Sequence, residues 1–364
     1  MNVIVSGGGT GGHIYPAIAI ADKVMEMDAN SKVLFIGNPI GLEAELVPRT
    51  GYDFKMVTAR WFDRSNPLDA VKMVFAVKKG TREALKIMKE FKPDIVIGTG
   101  GYACVPVVRA GKKYGAKTFI QEQNAYPGMA NKTLGMIVDN IFLGFEAGRK
   151  YFKKQEKCVF TGNPVRKDFF QRDKKQCRAE LGFREDDFIV FSFGGSQGSQ
   201  AINEVSYQLM KKINGQSDMS MIFGTGNQYY ENIMADIKAE KLELQDNIVI
   251  KDYMNDIDKY MACADLVIGR SGALSVAETC ALGKAAIYIP SPMVTGNHQF
   301  YNAKAVGDKG GAMVIEEKDL SSELIINTVF DLKASPTKLQ EMSVASRNAL
   351  PDNATEIIYS YFKK

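Results

Sequence analysis

A unit made of a short apolar run, a glycine-rich loop and a longer amphipathic run constrains this chain more than any other feature. It opens with residues 3–5, Val-Ile-Val, then Gly7-Gly8-Gly9-Thr10-Gly11-Gly12-His13, then a helical pattern over residues 16–27. Pro16 is expected in the first turn of that helix, where its missing N–H costs nothing. After about residue 187 the unit restarts, with an apolar run at 188–193 and Gly194-Gly195-Ser196-Gln197-Gly198-Ser199 behind it. Further apolar runs fall at 33–36, 95–97, 118–120 and 140–143, then at 219–223, 247–250, 266–268 and 285–289. They are near-continuously apolar rather than alternating, as strands covered on both faces by helices are. Strand–helix alternation of this kind predicts parallel, doubly wound sheets. With 364 residues there is chain enough for two cores. The expectation is an α/β protein of two Rossmann-like domains in tandem, residues 1–163 and 164–345, with the seam at Thr161-Gly162-Asn163-Pro164. Residues 346–364 are expected to form a last helix packing back on the first domain, capped by Asn353 with Glu356 three residues on.

Two more loops share the pattern: Gly98-Thr99-Gly100-Gly101-Tyr102, and Gly269-Arg270-Ser271-Gly272-Ala273-Leu274 ahead of a helix carrying Ser275 and Glu278. All four follow strands, at the sheet edge where open α/β folds bind ligands. Bare backbone N–H groups at helix starts favour phosphate. A dinucleotide site should have an acid at the end of the second strand, but the chain there reads Phe35-Ile36-Gly37-Asn38-Pro39. That departure counts against a dehydrogenase, and the absence of a Gly-Lys-Ser/Thr after the first loop counts against NTP hydrolysis. Two phosphate-friendly crevices, one per domain, suggest two phosphorylated substrates meeting at a cleft. Glu278 can bind ribose hydroxyls, or it can be a surface glutamate favoured by the helix dipole. The chain has two histidines, His13 at the mouth of the first loop and His298 in Thr295-Gly296-Asn297-His298-Gln299; either can serve as a base near neutral pH or as a positioning group. Asp256-Ile257-Asp258 has the letters of a metal-binding Asp-x-Asp, but it opens a helix, where aspartates cap and complement the dipole. No metal and no cofactor is expected. Helix N-termini and backbone amides are expected to stabilise a leaving diphosphate instead.

The net charge of +4 is too small for a dedicated nucleic-acid binder but suits phosphorylated ligands or an anionic surface. Five cysteines without a CxxC pair predict a reduced, intracellular protein. Neither a cleavable leader nor a membrane-spanning helix is expected from these residues.

The ordered set Gly8-Gly9-Thr10-Gly11-Gly12-His13 with Pro16, Gly100-Gly101-Tyr102, Glu122-Gln123-Asn124, Gly162-Asn163-Pro164-Val165-Arg166, Gly194-Gly195-Ser196-Gln197-Gly198, Arg270-Ser271-Gly272-Ala273-Leu274 with Glu278, and His298-Gln299 before Asn302-Ala303 resembles glycosyltransferase family 28, enzymes of the GT-B fold that act in peptidoglycan synthesis. The resemblance implies UDP-N-acetylglucosamine as donor and undecaprenyl-diphospho-N-acetylmuramoyl-pentapeptide as acceptor, with transfer to the 4-hydroxyl and inversion at the sugar. It also implies an active site in the cleft between the domains. On the donor side it places Met254 at the uracil, Glu278 at the ribose, and Ser196 with Ala273, Leu274 and Ser275 at the diphosphate. Arg166, Gln299, Asn124, Thr10, Gly11 and Gly12 also fall at donor positions. Gly9, Thr10, Gly100, Gly101 and Tyr102 fall on the acceptor side. The chain departs from the family pattern at 294–299, where an Asp and a second Gln are missing, and at Ala125-Tyr126-Pro127-Gly128.

Inversion in one displacement needs a base for the acceptor hydroxyl. His13 is the first candidate and Glu122 its rival. A lipid-linked acceptor also requires contact with an anionic membrane surface, at the cytoplasmic face of the cell membrane. Residues 60–92 are the candidate segment, with nine Lys/Arg against four Asp/Glu and with Trp61, Phe62, Leu68, Val71, Met73, Val74, Phe75 and Val77 among them. The same residues can instead be a helix packed in the core. A UDP-sugar 2-epimerase, another family 28 glycolipid transferase and a non-catalytic nucleotide-sugar module are the alternative functions.

Overall fold

The computed structural model describes residues 1–60, 67–195 and 197–363, with only the backbone course for 67–70. The chain forms two compact units, one of Met1–Arg166 with Pro351–Lys364, the other of Lys167–Leu350. The first holds seven parallel strands: β1 (Asn2–Gly7), β2 (Lys32–Gly37), β3 (Asp53–Met56), β4 (Ile95–Gly100), β5 (Lys117–Glu122), β6 (Asn140–Leu143) and β7 (Cys158–Phe160), in the order 3-2-1-4-5-6-7. The second holds six: β8 (Phe188–Phe193), β9 (Met219–Gly224), β10 (Ile248–Lys251), β11 (Leu266–Gly269), β12 (Ala285–Tyr288) and β13 (Ala312–Val314), in the order 10-9-8-11-12-13. These are two Rossmann-like sheets.

Every apolar run became a strand. In β1, Val3 pairs with Val33 on one side and Ile95 on the other; in β8, Val190 pairs with Met221 and Leu266. Val3, Ile4, Val5, Ile189, Val190 and Phe191 are all fully buried, as strands sandwiched between helix layers must be. The three strands without a matching apolar run, β3, β7 and β13, all lie at sheet edges. An edge strand has one partner and one open side, so it can be short and polar, as Asp53-Phe54-Lys55-Met56 is.

Two local expectations need correction. The first helix, α1 (Gly11–Met27), begins inside the glycine loop, so Pro16 is an interior residue rather than a first-turn one. The first turn closes on the Thr10 carbonyl, which accepts from the His13 and Ile14 amides at 3.1 and 3.2 Å. Pro16 then leaves the Gly12 carbonyl without its i+4 donor. At the other terminus the helix Ala354–Phe362 follows Asn353, but the asparagine side chain makes no capping bond. Glu356 pairs with Lys23 of α1 at 2.6 Å and also accepts from Thr355 Oγ1 in its own first turn at 3.2 Å. Ile358, Tyr359 and Phe362 share a core cluster with Ile14, Ile18 and Phe119, which seats this helix on the first unit.

Candidate active site

The two sheets reverse their strand order between β1 and β4 and between β8 and β11. Ligands of open α/β sheets bind in the crevice at such switch points. The first and third glycine loops follow β1 and β4, and the second and fourth follow β8 and β11. Each unit therefore carries its two loops on either side of its own switch point.

In the first unit the paired loops fit closely because they lack side chains. The Gly8 amide donates to the Gly100 carbonyl at 3.3 Å. Gly101 holds φ near +82°, and a Cβ there would lie 2.2 Å from the Gly8 carbonyl oxygen. Thr99 Oγ1 donates to the His13 carbonyl at 2.6 Å, which ties the end of β4 to the start of α1. Tyr102 lies beside Gly9, with its ring 3.5 Å from where a Gly9 Cβ would be. Its phenol is pushed up, first by burial and then by the nearby Glu43 carboxylate.

His13 sits in the first turn of α1. Its Nδ1 is 3.1 Å from the Gly8 carbonyl oxygen and 3.4 Å from Thr10 Oγ1. A carbonyl oxygen only accepts, so Nδ1 carries a proton, and in the neutral form of the ring the lone pair is then on Nε2. That is the arrangement a general base requires.

Glu122, the rival base, is engaged otherwise. Its buried carboxylate accepts from the Asn124 amide at 2.9 Å, the Gly128 amide at 3.0 Å, and Asn131 Nδ2 at 2.9 Å, with Asn124 Nδ2 at 3.4 Å. A carboxylate whose oxygens are filled by fixed donors is a clamp for the 122–131 loop, not a poised proton acceptor. Asn163 completes the scaffold: its Oδ1 accepts from Gln121 Nε2 at 2.9 Å and its Nδ2 donates to the Gln123 carbonyl at 2.9 Å. The Glu122-Gln123-Asn124 and Gly162-Asn163-Pro164 motifs thus interlock. The Arg166 guanidinium lies over the Tyr15 ring at 5.4 Å, so it belongs with α1 in the first unit.

Sequence reasoning missed Glu43, the first residue of helix α2 (Glu43–Arg49) and fully buried. Its Oε2 accepts from the Gly9 amide at 2.9 Å and its Oε1 from the Asn38 amide at 3.1 Å. The Gly9 N–H therefore points at Glu43. The available signal was the pair Gly37 and Gly41 just ahead of an acid, since a Cβ at Gly41 would lie 2.3 Å from a Glu43 oxygen.

In the second unit Gly195 and Gly198 hold φ near +91° and +81°, and a Cβ at Gly198 would meet the Thr225 carbonyl oxygen at 2.3 Å. Ser196 lies outside the described residues. Ser199 caps the helix Gln200–Ile213 and accepts from Arg270 Nη2 at 2.7 Å, which joins the second loop to the fourth. Ser271 Oγ donates to the Gln299 carbonyl at 2.8 Å, and Gln299 Oε1 accepts from the Ser291 amide at 2.9 Å. Met254 packs on Gly224, where a Cβ would stand 2.8 Å from its Cε. Ala273, Leu274 and Ser275 form the first turn of the helix Ala273–Ala281, which has no acidic residue there to compete with an anionic ligand. Glu278 is the sixth residue of that helix, too deep for the dipole reading to explain it. His298 Nδ1 donates to the Thr295 carbonyl at 3.0 Å, a local tie within its loop.

Asp256 does occupy an N-cap position, but its side chain makes no capping bond. The buried Asp258 pairs with Arg172. Among the described residues no group of three or more His, Cys, Asp or Glu side chains gathers as a metal site.

Residues 3–143 match the glycosyltransferase family 28 N-terminal domain and residues 189–357 the family 28 C-terminal domain. The UDP-N-acetylglucosamine--N-acetylmuramyl-(pentapeptide) pyrophosphoryl-undecaprenol N-acetylglucosamine transferase of Thermoanaerobacter sp. (strain X514) is 40% identical over 363 residues, covering 100% of this chain and 99% of that protein. The like-named transferase of Clostridioides difficile (strain 630) is 40% identical over 366 residues, covering 100% of this chain and 89% of that protein. The crystal structure of Acinetobacter baumannii MurG superposes with a TM-score of 0.77 at 27% identity, over 100% of this chain and 99% of that one. A UDP-GlcNAc 2-epimerase from Neisseria meningitidis, bound to UDP-GlcNAc, reaches a TM-score of 0.71 over the full length of both chains at 14% identity, a likeness of fold alone. By both halves of its sequence and by full-length relatives well above 30% identity, this chain belongs to glycosyltransferase family 28.

Proposed function

We propose that this chain moves N-acetylglucosamine from UDP-N-acetylglucosamine to the 4-hydroxyl of undecaprenyl-diphospho-N-acetylmuramoyl-pentapeptide, with inversion. The observation that carries the reading is His13 at the switch point of the first sheet, with Nδ1 on the Gly8 carbonyl and the lone pair therefore on Nε2. In this account the first unit takes the acceptor, with Gly100, Gly101, Thr10 and Tyr102 around its diphosphate. The second takes the donor, with the 273–275 helix start on the diphosphate, Met254 at the uracil and Glu278 at the ribose. His13 Nε2 accepts the proton of the acceptor hydroxyl as its oxygen attacks the anomeric carbon. The bond from that carbon to the UDP oxygen breaks on the opposite face, and the electron pair leaves with UDP. Backbone N–H groups at the helix start stabilise the charge on the departing diphosphate. His13 is favoured over Glu122 because the carboxylate is already filled by loop donors.

No helix among the described residues is long and apolar enough to cross a membrane. A peripheral contact is supported by helix α3 (Pro67–Phe91), where Val71, Val74 and Phe75 are exposed at helical spacing beside Lys72, Lys78 and Lys79. Of the other residues in the 60–92 segment, Trp61 and Phe62 lie outside the described residues, as does the side chain of Leu68.

The test is to incubate the protein with UDP-N-acetylglucosamine alone and then with the lipid acceptor. UDP release only in the second case, with a β-linked disaccharide on the lipid, is the expected result. Epimerised donor in the first case would select the isomerase reading instead.

A further inference from the structure

One peptide unit in the first loop is held at both ends. The carbonyl oxygen of the Gly8–Gly9 peptide lies 3.1 Å from His13 Nδ1, and its N–H donates to Glu43 Oε2 at 2.9 Å. In a planar trans peptide these two groups point in opposite directions and move together. A rotation that takes the N–H off Glu43 takes the carbonyl off His13.

Glu43 is fully buried, and both of its oxygens are taken by backbone N–H groups, of Gly9 and Asn38. Three glycines make its space: a Cβ at Gly8 or Gly41 would lie 2.3 Å from a carboxylate oxygen, and one at Gly37 would lie 2.7 Å from Cγ. Burying an anion is costly, and a leucine or methionine would fill the volume without that cost. What the carboxylate adds is an acceptor for the loop amide. Hydrogen bonding at the N–H also polarises the peptide and strengthens its carbonyl as an acceptor for the imidazole.

The geometry points to Glu43 as a positioning residue that selects the His13 tautomer through the Gly8–Gly9 peptide. The structural coupling stands by itself; its catalytic consequence rests on the reading of His13 as base.

The chain contains two histidines, so 15N-histidine labelling with a His13→Ala control assigns both ring systems. In wild type, His13 is expected with the proton on Nδ1. In Glu43→Gln one backbone donor faces an amide NH2, so one of the two bonds to Gly9 and Asn38 is lost. The His13 ring should then move to mixed tautomers while His298, tied to Thr295, keeps its own. Turnover should fall by roughly ten- to a hundredfold, the scale on which outer-shell partners act. The KM for UDP-N-acetylglucosamine should stay within about twofold, because both hydrogen bonds of Glu43, from Gly9 and Asn38, stay within the first unit. A wild-type His13 with its proton on Nε2 would overturn the inference, and this needs no variant to fold. A Glu43→Gln protein with the wild-type tautomer would overturn it as well, whatever its turnover. A shifted tautomer with unchanged turnover would support the coupling and contradict His13 as the base.

Discussion

The imidazole of His13 rests against the α-carbon of Gly100, so closely that a Cβ there would stand 2.6 Å from Cδ2 and 2.9 Å from Nε2. Gly100 also holds φ near +113°, a region that side chains avoid. Gly100→Ala is therefore expected to cost about 1–2 kcal/mol of stability and to displace the ring. Turnover should fall more than about tenfold, while UDP-N-acetylglucosamine affinity stays at the wild-type level. Steady-state kinetics with thermal unfolding checks both halves, and a variant with normal turnover would mean that the ring position does not matter.

Glu122 offers a contrast. Removing its carboxylate by Glu122→Ala takes that acceptor from the Asn124 and Gly128 amides and leaves Asn131 Nδ2 with the Gln121 carbonyl alone. The expected loss is about 2 kcal/mol, from one buried and two part-buried hydrogen bonds at once. Glu122→Gln keeps one acceptor oxygen and should unfold between the two. If Glu122 is a clamp, the turnover of folded Glu122→Gln falls far less than that of His13→Ala. A larger fall than in His13→Ala would make Glu122 the base.

The five cysteines are all buried and unpaired with one another. Burial pushes the thiols of Cys104, Cys263 and Cys280 up to about 12 and that of Cys158 up to about 11, and raises Cys177 as well. Their ordinary value is 9.0. Above that pH the unfolded chain loses thiol protons that the folded chain keeps, so this contribution is intact below pH 9 and is lost progressively toward pH 12. Lys284, which burial lowers to about 8, and Lys157, which burial also lowers, act in the opposite sense, but they are two groups against five. Urea midpoints should decline from about pH 9 upward. At pH 8 a thiol reagent should label the native protein slowly and all five cysteines quickly once it is unfolded.

The exposed stripe of α3 carries the membrane prediction. Val71→Ser with Phe75→Ser should weaken sedimentation with phosphatidylglycerol vesicles several-fold and leave activity on a short-chain, detergent-soluble acceptor near normal. Equal binding of wild type and variant, or equal binding to neutral and anionic vesicles, would remove α3 as the contact.

What was legible in the chain was what repeats. The doubly covered strands announce themselves because both faces are buried, and the four glycine loops because each must bring backbone close to something. Their pairing around two switch points was not legible, since it depends on strand order rather than on spacing. Edge strands such as β3 escaped because one open side leaves no apolar run. Local rules were incomplete where a distant partner entered: Glu356 also pairs with Lys23, and Asp258 pairs with Arg172. Glu43 looked like an ordinary acid and Glu122 like a candidate base, and only burial and their hydrogen-bond partners show both as acceptors that shape loops.

General-base catalysis by His13 is tested most directly by single-turnover transfer in His13→Ala, with donor affinity measured alongside. The expected result is a loss of roughly a hundredfold or more in the transfer step, the scale of a missing general base, with UDP-N-acetylglucosamine bound as in wild type. Near-normal transfer by the folded variant would contradict it.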